Sequence, residues 1–259
     1  MGSLGRQTGH WSAGRIKNAG EELRSAASLT VSGQWPVYQW PVCLLLGFAQ
    51  FICYWIIGMR PTANSASRSS QPRIDTVAGL LPEVRQVVSP NCDDRPPGVT
   101  PDLIVVHGIS LPPGEFGGPW IDRLFTNTLP PHQHPYFAAV ADRKVSSHLL
   151  IRRDGELVQY VPLHRRAWHA GVSQYRGRDR CNDFSIGIEL EGADDSAYEP
   201  VQYRVLSETI MALCDAYPTL SREHIAGHSD IAPGRKTDPG LAFDWPRLRA
   251  LLEFLAGRR

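Results

Sequence analysis

The sequence predicts a mixed α/β fold for residues 80–259, on three observations. Residues 103–106 (LIVV) form a short apolar run rich in β-branched side chains between Pro101 and Gly108, the pattern of a buried strand. Two further runs, 147–152 (SHLLIR) and 156–161 (ELVQYV), flank Asp154-Gly155, a two-residue hairpin signal. Residues 201–217 and 244–255 carry apolar side chains at near-helical spacing. The chain has 21 prolines and 23 glycines in 259 residues, and in its second half they separate these short runs, which suits a loop-rich fold holding both kinds of element.

The first 79 residues have a different texture. Residues 1–41 form a head, polar and rich in Gly, Ser and Ala up to about Trp35, that reads as disordered. Residues 42–58 (VCLLLGFAQFICYWIIG) contain no charge and only Gln50 as a strongly polar side chain. That is close to the length of roughly 17 to 25 residues required of a membrane-spanning helix, and Trp40, Tyr54 and Trp55 stand where interfacial aromatics would be useful. The segment lies too far from Met1 and lacks a small-residue cleavage site, so it is not an ordinary signal peptide. Arg60, Arg68 and Arg73 follow it closely, against Arg24 before it, so the positive-inside rule leaves the carboxyl-terminal part in the cytoplasm. Two readings stand side by side: an inner-membrane anchor with a cytoplasmic catalytic part, or translation from Met59, which would leave a soluble protein. Residues 59–79 follow as a linker that includes the Ser-rich stretch TANSASRSSQPR.

Within residues 80–259 the elements follow in order. Residues 89–101 are a turn-rich approach to the LIVV strand, at whose carboxyl end stands His107. Residues 109–118 (ISLPPGEFGG) form a loop, and Pro119 is suited to the first position of a helix running to Phe125. After the hairpin, 167–171 (AWHAG) is a loop. Residues 184–190 (FSIGIEL) alternate, with Phe184, Ile186, Ile188 and Leu190 on the core face and Glu189 on the other. Helix 201–217 stops before Pro218, and Asp244 caps the last helix.

Composition removes several function classes. The formal net charge is +1, with no basic stripe interleaved with aromatics, so sequence-independent nucleic-acid binding is excluded. The five cysteines form no CxxC pair and are odd in number, as in a reducing compartment. Chemistry concentrates in residues 227–240 (GHSDIAPGRKTDPG), a turn-rich loop carrying His228, Lys236 and Asp238. An imidazole and a carboxylate suit Zn²⁺, and a catalytic zinc needs three protein ligands and an open position. By itself the loop reads more readily as a packed histidine with Asp238 capping a turn. His107 and Glu189 add the chemical types of a metal hydrolase, spacing alone does not bring them together, and no HExxH signature is present.

Four long runs, VVHGISLPPGEFGGPW, VSSHLLIRRDGELVQYVP, RAWHAGVSQYRGRDRCNDFSIGIELEG and GHSDIAPGRKTDPG, with FDW after them, carry a resemblance. They closely resemble the 1,6-anhydro-N-acetylmuramyl-L-alanine amidases, within the zinc N-acetylmuramoyl-L-alanine amidase family that also holds phage lysozyme-type amidases and peptidoglycan recognition proteins. The resemblance covers about residues 80–259 and does not extend to residues before 74. It implies a central mixed, mainly antiparallel sheet flanked by helices. It implies Zn²⁺ on His107, His228 and Asp238, Glu189 as the catalytic carboxylate, and Lys236 as a stabiliser of the transition state. Lys144, Trp168 and Arg180 fall at its substrate-binding positions. Two departures bear on substrate contacts: Gly108 replaces the usual Asn, and Lys144 replaces an Arg that binds a peptide carboxylate, keeping the charge and losing the bidentate fork.

The implied activity is hydrolysis of the lactyl-L-alanine amide of anhydromuropeptides in cytoplasmic peptidoglycan recycling, with no obligate protein partner. Rival functions are a non-catalytic muropeptide-binding module and an amidase of intact peptidoglycan; the complete residue set disfavours the first, and the arginine distribution and absence of a polymer-gripping module the second. His10, His132, His134, His164 and His224 read as surface residues without a metal role. His148 and His169 read either as groove residues or as hydrogen-bonded core. Cys181 reads as buried and inert, Glu191 as a support of the site or a solvated sheet residue, and Asp230 as a turn cap.

Overall fold

The computed structural model describes residues 71–258. The head, residues 42–58, Met59 and most of the linker lie outside the described residues. Among the described residues no helix is long and apolar enough to cross a membrane.

In chain order the elements are β1 (Arg85–Gln86), β2 (Cys92–Asp93), β3 (Leu103–Ile109), α1 (Trp120–Phe125), α2 (Pro135–Val140), β4 (Leu149–Ile151) and β5 (Leu157–Gln159). They continue with β6 (Arg166–Ala167), β7 (Gln174–Tyr175), β8 (Arg178–Asp179), β9 (Ser185–Glu191), α3 (Pro200–Ala216), β10 (Ile225–Gly227), α4 (His228–Ile231) and α5 (Trp245–Ala256). Six strands form the central sheet in the order β1-β5-β4-β9-β3-β10.

The sheet is mixed, as expected, but the expected antiparallel majority is not there. Only β4 and β5 run antiparallel; β1 with β5, β4 with β9, β9 with β3 and β3 with β10 are all parallel. The reason is connection length. Only the Asp154-Gly155 turn, where Gly155 takes φ +89°, is short enough to reverse the chain directly; the other links carry helices or long loops that return the strand in the same direction.

Strand β3 runs on through His107 to Ile109, so that histidine stands inside the strand and not at its end. Ile104 and Val106, with Ile186, Ile188 and Leu190 of β9, pack against Leu206, Ile210 and Leu213 of α3 and Leu248 and Leu252 of α5. Full burial of each such side chain contributes about 1.5–3 kcal/mol, so this face anchors the sheet. On the other face, Leu150 and Val158 meet Phe125 of α1 and Phe137 of α2. Asp244 accepts from Arg247 N–H at 2.9 Å and so caps α5 as the sequence predicts.

All seven residues of β9 are buried although the sequence alternates. Its alternate positions Ser185, Gly187, Glu189 and Glu191 therefore do not face water. They lie on the opposite side from α3 and α5, on the face that carries the site.

Three further differences from the expectation have local causes. Pro119 caps α1 and is not its first residue. Helix α2 was not foreseen, although His134 accepts from Tyr136 N–H and Pro135 opens the first turn. Residues 74–79, expected in the linker, are attached to the domain: Asp75 and Leu80 form an antiparallel bridge, and Gly79 O accepts from Leu163 N–H at 2.8 Å.

Candidate metal centre and active site

Parallel pairing of β3 with β9 puts His107 opposite Glu189 in register. Neighbouring strands lie about 4.8 Å apart, so the two side chains rise side by side from one row of the sheet. On the other flank β10 pairs with β3 up to Gly227 opposite Val106, which delivers His228 beside His107. His228 is also the first residue of the single-turn helix α4, whose Asp230 accepts from Gly227 N–H at 2.7 Å, as a turn cap. The chain then returns through the loop so that Asp238 O accepts from Ser229 N–H at 2.9 Å, which brings the Asp238 carboxylate over both rings.

Three donor atoms converge there. His107 Nδ1 lies 2.9 Å from His228 Nδ1, and Asp238 Oδ2 lies 3.2 Å from the first and 3.0 Å from the second. Nε2–H of His228 donates to Ala170 O at 3.1 Å, and Nε2–H of His107 faces His169 Nδ1 at 2.9 Å. With each Nε2 protonated, both Nδ1 atoms present lone pairs to each other and to an anionic oxygen, an arrangement that only a cation makes favourable. A tetrahedral zinc with bonds of about 2.0–2.1 Å has ligand edges of about 3.3 Å, close to the three separations found. The residues fit the metal.

Electrostatics point the same way. Burial pushes the His107 imidazole down to about 4, against the pull of Asp238, so it is neutral and able to ligate. Burial would raise the Asp238 carboxyl, but the close approach of the His107 and His228 imidazoles outweighs it and holds the group well below the ordinary range. Glu189 is the opposite case. Burial, reinforced by Asp238 and countered by Lys236, pushes its carboxyl well up, and its Oε2 has no hydrogen-bond partner. A buried, unpartnered carboxylate next to a cation site is poised to exchange protons.

These groups open into a cavity of about 750 Å³ whose wall includes Lys236, Trp168, Tyr136 and Arg143. The Trp168 indole N–H donates to Asp93 Oδ1 at 3.1 Å, and Asp93 is held in turn by Arg166, so the ring is fixed on the wall. Lys144 and Arg180 do not line this cavity. Arg143 does, one residue before Lys144, and Arg180 instead pairs with Asp183 at 3.2 Å. The Tyr198 hydroxyl, which donates to Pro239 O at 2.9 Å, occupies the space a side chain at Gly108 would need: a Cβ there would overlap it.

The two undecided histidines separate. His148 is core: it accepts from Gly187 N–H at 3.0 Å and donates to Arg165 O at 3.1 Å, and burial pushes it down to about 3. His169 touches both the cavity and His107. Glu191 is neither solvated nor beside the metal donors: it is buried and accepts from Gly117 N–H and Arg153 N–H, clipping the loop after β3 to the sheet. Cys181 is buried, with its thiol pushed up by burial, so it is not a nucleophile. Sequence reasoning missed Arg143, Tyr136 and Asp93. The Pro135 helix signal would have found the element that carries Tyr136.

The model of the N-acetylmuramoyl-L-alanine amidase family matches residues 97–241. The chain is 63% identical over 174 residues to the 1,6-anhydro-N-acetylmuramyl-L-alanine amidase AmpD of Escherichia coli (strain K12), covering 67% of this chain and 94% of that protein. It is 48% identical over 173 residues to AmpD of Haemophilus influenzae, covering 67% and 94%. A crystal structure of a Se-Met AmpD derivative superposes with a TM-score of 0.67 at 60% identity, covering 69% of this chain and 98% of that one. With the fold, the site and these matches in agreement, this chain belongs to the N-acetylmuramoyl-L-alanine amidase family.

Proposed function

We propose that this protein is a zinc-dependent amidase that hydrolyses the bond between the lactyl group of a 1,6-anhydro-N-acetylmuramyl sugar and the L-alanine of its stem peptide, in peptidoglycan recycling. The observation that carries this reading is the convergence of three lone pairs, from His107, His228 and Asp238, beside the buried and unpartnered carboxyl of Glu189. The substrate follows from the name of the relative that is 63% identical.

His107, His228 and Asp238 would hold Zn²⁺. Two neutral imidazoles and one carboxylate leave a net charge near +1, and zinc so held polarises a carbonyl and lowers the pKa of water from about 15.7 towards about 7. Glu189 takes the proton from the attacking water as the new C–O bond forms. It then passes that proton to the alanine nitrogen as the C–N bond breaks, so peptide leaves as an amine and the lactyl group as a carboxylic acid. Lys236 places an ammonium on the cavity wall, where it offsets the negative charge that develops on the carbonyl oxygen. Trp168, fixed by Asp93, offers a flat wall for the sugar or the first peptide units. Lys144 and Arg180 remain candidate contacts for the outer part of the peptide, and Arg143 offers a cation on the cavity wall.

The test uses purified full-length protein with an anhydromuropeptide. Free peptide is expected with zinc present, and its release should stop on chelation and resume on adding zinc back. Full activity after rigorous chelation would sink the metal reading. We place the catalytic domain in the cytoplasm, either free or held by an inner-membrane anchor at residues 42–58; mass spectrometry of the native amino terminus, with fractionation of membranes, separates the two.

A further inference from the structure

We infer that His169 is a positioning residue that decides which nitrogen of His107 is left bare. The inference bears on the proposed metal site but concerns an atom of this chain that can be observed without metal.

Three groups stand in a row behind His107. Its Nε2 is 2.9 Å from His169 Nδ1; His169 Nε2 is 3.2 Å from Ser185 Oγ; and Ser185 Oγ is 2.5 Å from Cys181 O. Only one assignment of hydrogens satisfies the row. The Cys181 carbonyl can only accept, so the Ser185 hydroxyl donates to it. Ser185 Oγ then accepts, which puts the hydrogen of His169 on Nε2 and leaves its Nδ1 bare. That bare nitrogen accepts from His107 Nε2–H, so His107 Nδ1 carries the lone pair that faces His228 and Asp238. Reversing the row would turn the Ser185 hydroxyl towards His169 and leave two oxygens 2.5 Å apart with no hydrogen between them.

The fold makes room for this row. Ser185, Gly187 and Glu189 alternate on one face of β9, and His169 lies flat against the middle position. A Cβ on Gly187 would stand 2.6 Å from His169 Cγ and 2.7 Å from its Nδ1, so glycine there is what lets the ring approach the strand. His228 differs, because its Nε2–H is received directly by the backbone carbonyl of Ala170. One imidazole is thus oriented by the main chain and the other by exchangeable side chains.

The experiment compares the full-length parent with His169→Phe, which keeps a flat ring and removes the acceptor, and His169→Asn, which places a carbonyl oxygen near the position of Nδ1. Ser185→Ala removes the lock on the direction of the row while leaving both imidazole rings in place. Zinc affinity is read by chelator competition, and the His107 tautomer by long-range ¹⁵N spectra of the zinc-free protein, assigned by loss of signals in His107→Gln. The parent should show His107 protonated at Nε2. His169→Phe should lose that preference and bind zinc about 10- to 100-fold more weakly. His169→Asn should keep the tautomer and stay within about threefold of the parent, as expected if the acceptor and not the ring is what matters. Ser185→Ala should show a mixture of tautomers, and it carries the test if His169→Phe does not fold. A parent with His107 protonated at Nδ1, an unchanged tautomer in both His169→Phe and Ser185→Ala, or an Asn variant as impaired as the Phe variant would overturn the proposal. A parent without zinc affinity would instead sink the zinc reading, since the tautomer is measured without metal.

Discussion

The half of the site carried by the sheet and the half carried by the loop are built by different forces. His107 and Glu189 sit opposite each other on β3 and β9, two buried strands whose register is fixed over seven residue pairs from Leu103 with Ser185 to Ile109 with Glu191. Their separation is set by the strand spacing, and slipping the register by one residue would move Glu189 to the opposite face, among Ile186 and Leu190. His228, Lys236 and Asp238 depend on local turns instead: a cap from Asp230, a bond from Ser229 N–H to Asp238 O, and the Tyr198 hydroxyl on Pro239 O. The comparison teaches that the sheet supplies the parts needing a permanent spacing, namely a ligand and the proton carrier. The loop supplies the parts that must close over a metal and a reacting oxygen.

The largest effect belongs to the sheet side. Glu189→Gln keeps the volume and removes the base, and kcat should fall by about 10²- to 10⁴-fold with zinc affinity within a few-fold of the parent. The sign of the pH dependence follows from the shift. Burial raises the Glu189 carboxyl above its ordinary 4.5, and the working base is the ionised form. Activity is therefore retained above the raised pKa and lost as pH falls through it, with the residual positive charge of the loaded site acting against burial. An acid limb that persists unchanged in the Gln variant would assign proton transfer to another group.

Lys236→Ala probes the loop side at an intermediate size. The side chain is exposed on the cavity wall and brings its charge to the carbonyl oxygen, so kcat should fall by about 10²-fold, with KM little changed. Lys236→Arg should recover part of the loss, because the charge is kept and the reach altered. If Lys236→Ala raised KM and left kcat alone, the lysine would be a ground-state contact, and the loop side of the site would hold the metal without acting on the transition state.

The sequence showed these two halves unequally. The β9 alternation put Glu189 off the core face, and the Asp154-Gly155 hairpin stands as predicted, because both depend on short-range periodicity and turn chemistry. The meeting of His107 with His228 and Asp238 was not legible from spacing. It rests on parallel pairing between strands more than a hundred residues apart, and only resemblance to a family pointed to it. The excess of parallel pairs went unread for the same reason: strand direction is decided by what connections must carry, not by the strands themselves. Arg143 shows the limit at single-residue scale. The resemblance pointed to Lys144, whereas the chain after α2 turns Arg143 to the cavity wall, a local turn that matched motifs do not carry.

The smallest effect gives the finest comparison between the halves. Asp230 lies outside the cavity and touches neither the metal donors nor Glu189; its Oδ2 accepts from Gly227 N–H and fixes the turn that starts with His228. Losing a cap of this kind costs about 1 kcal/mol, with a range of about 0.5–2 kcal/mol. Asp230→Ala should therefore lower the unfolding free energy by about that amount, while Asp230→Asn, which keeps a carbonyl oxygen at the cap, should cost less. Zinc affinity should weaken by at most about tenfold if the whole cap energy were drawn from binding, since about 1.4 kcal/mol corresponds to one factor of ten. Because the β3–β9 register is untouched, the acid limb attributed to Glu189 should not move. A shift of that limb in Asp230→Ala would mean that the turn also sets the environment of the sheet-borne carboxylate, and that the two halves are mechanically coupled.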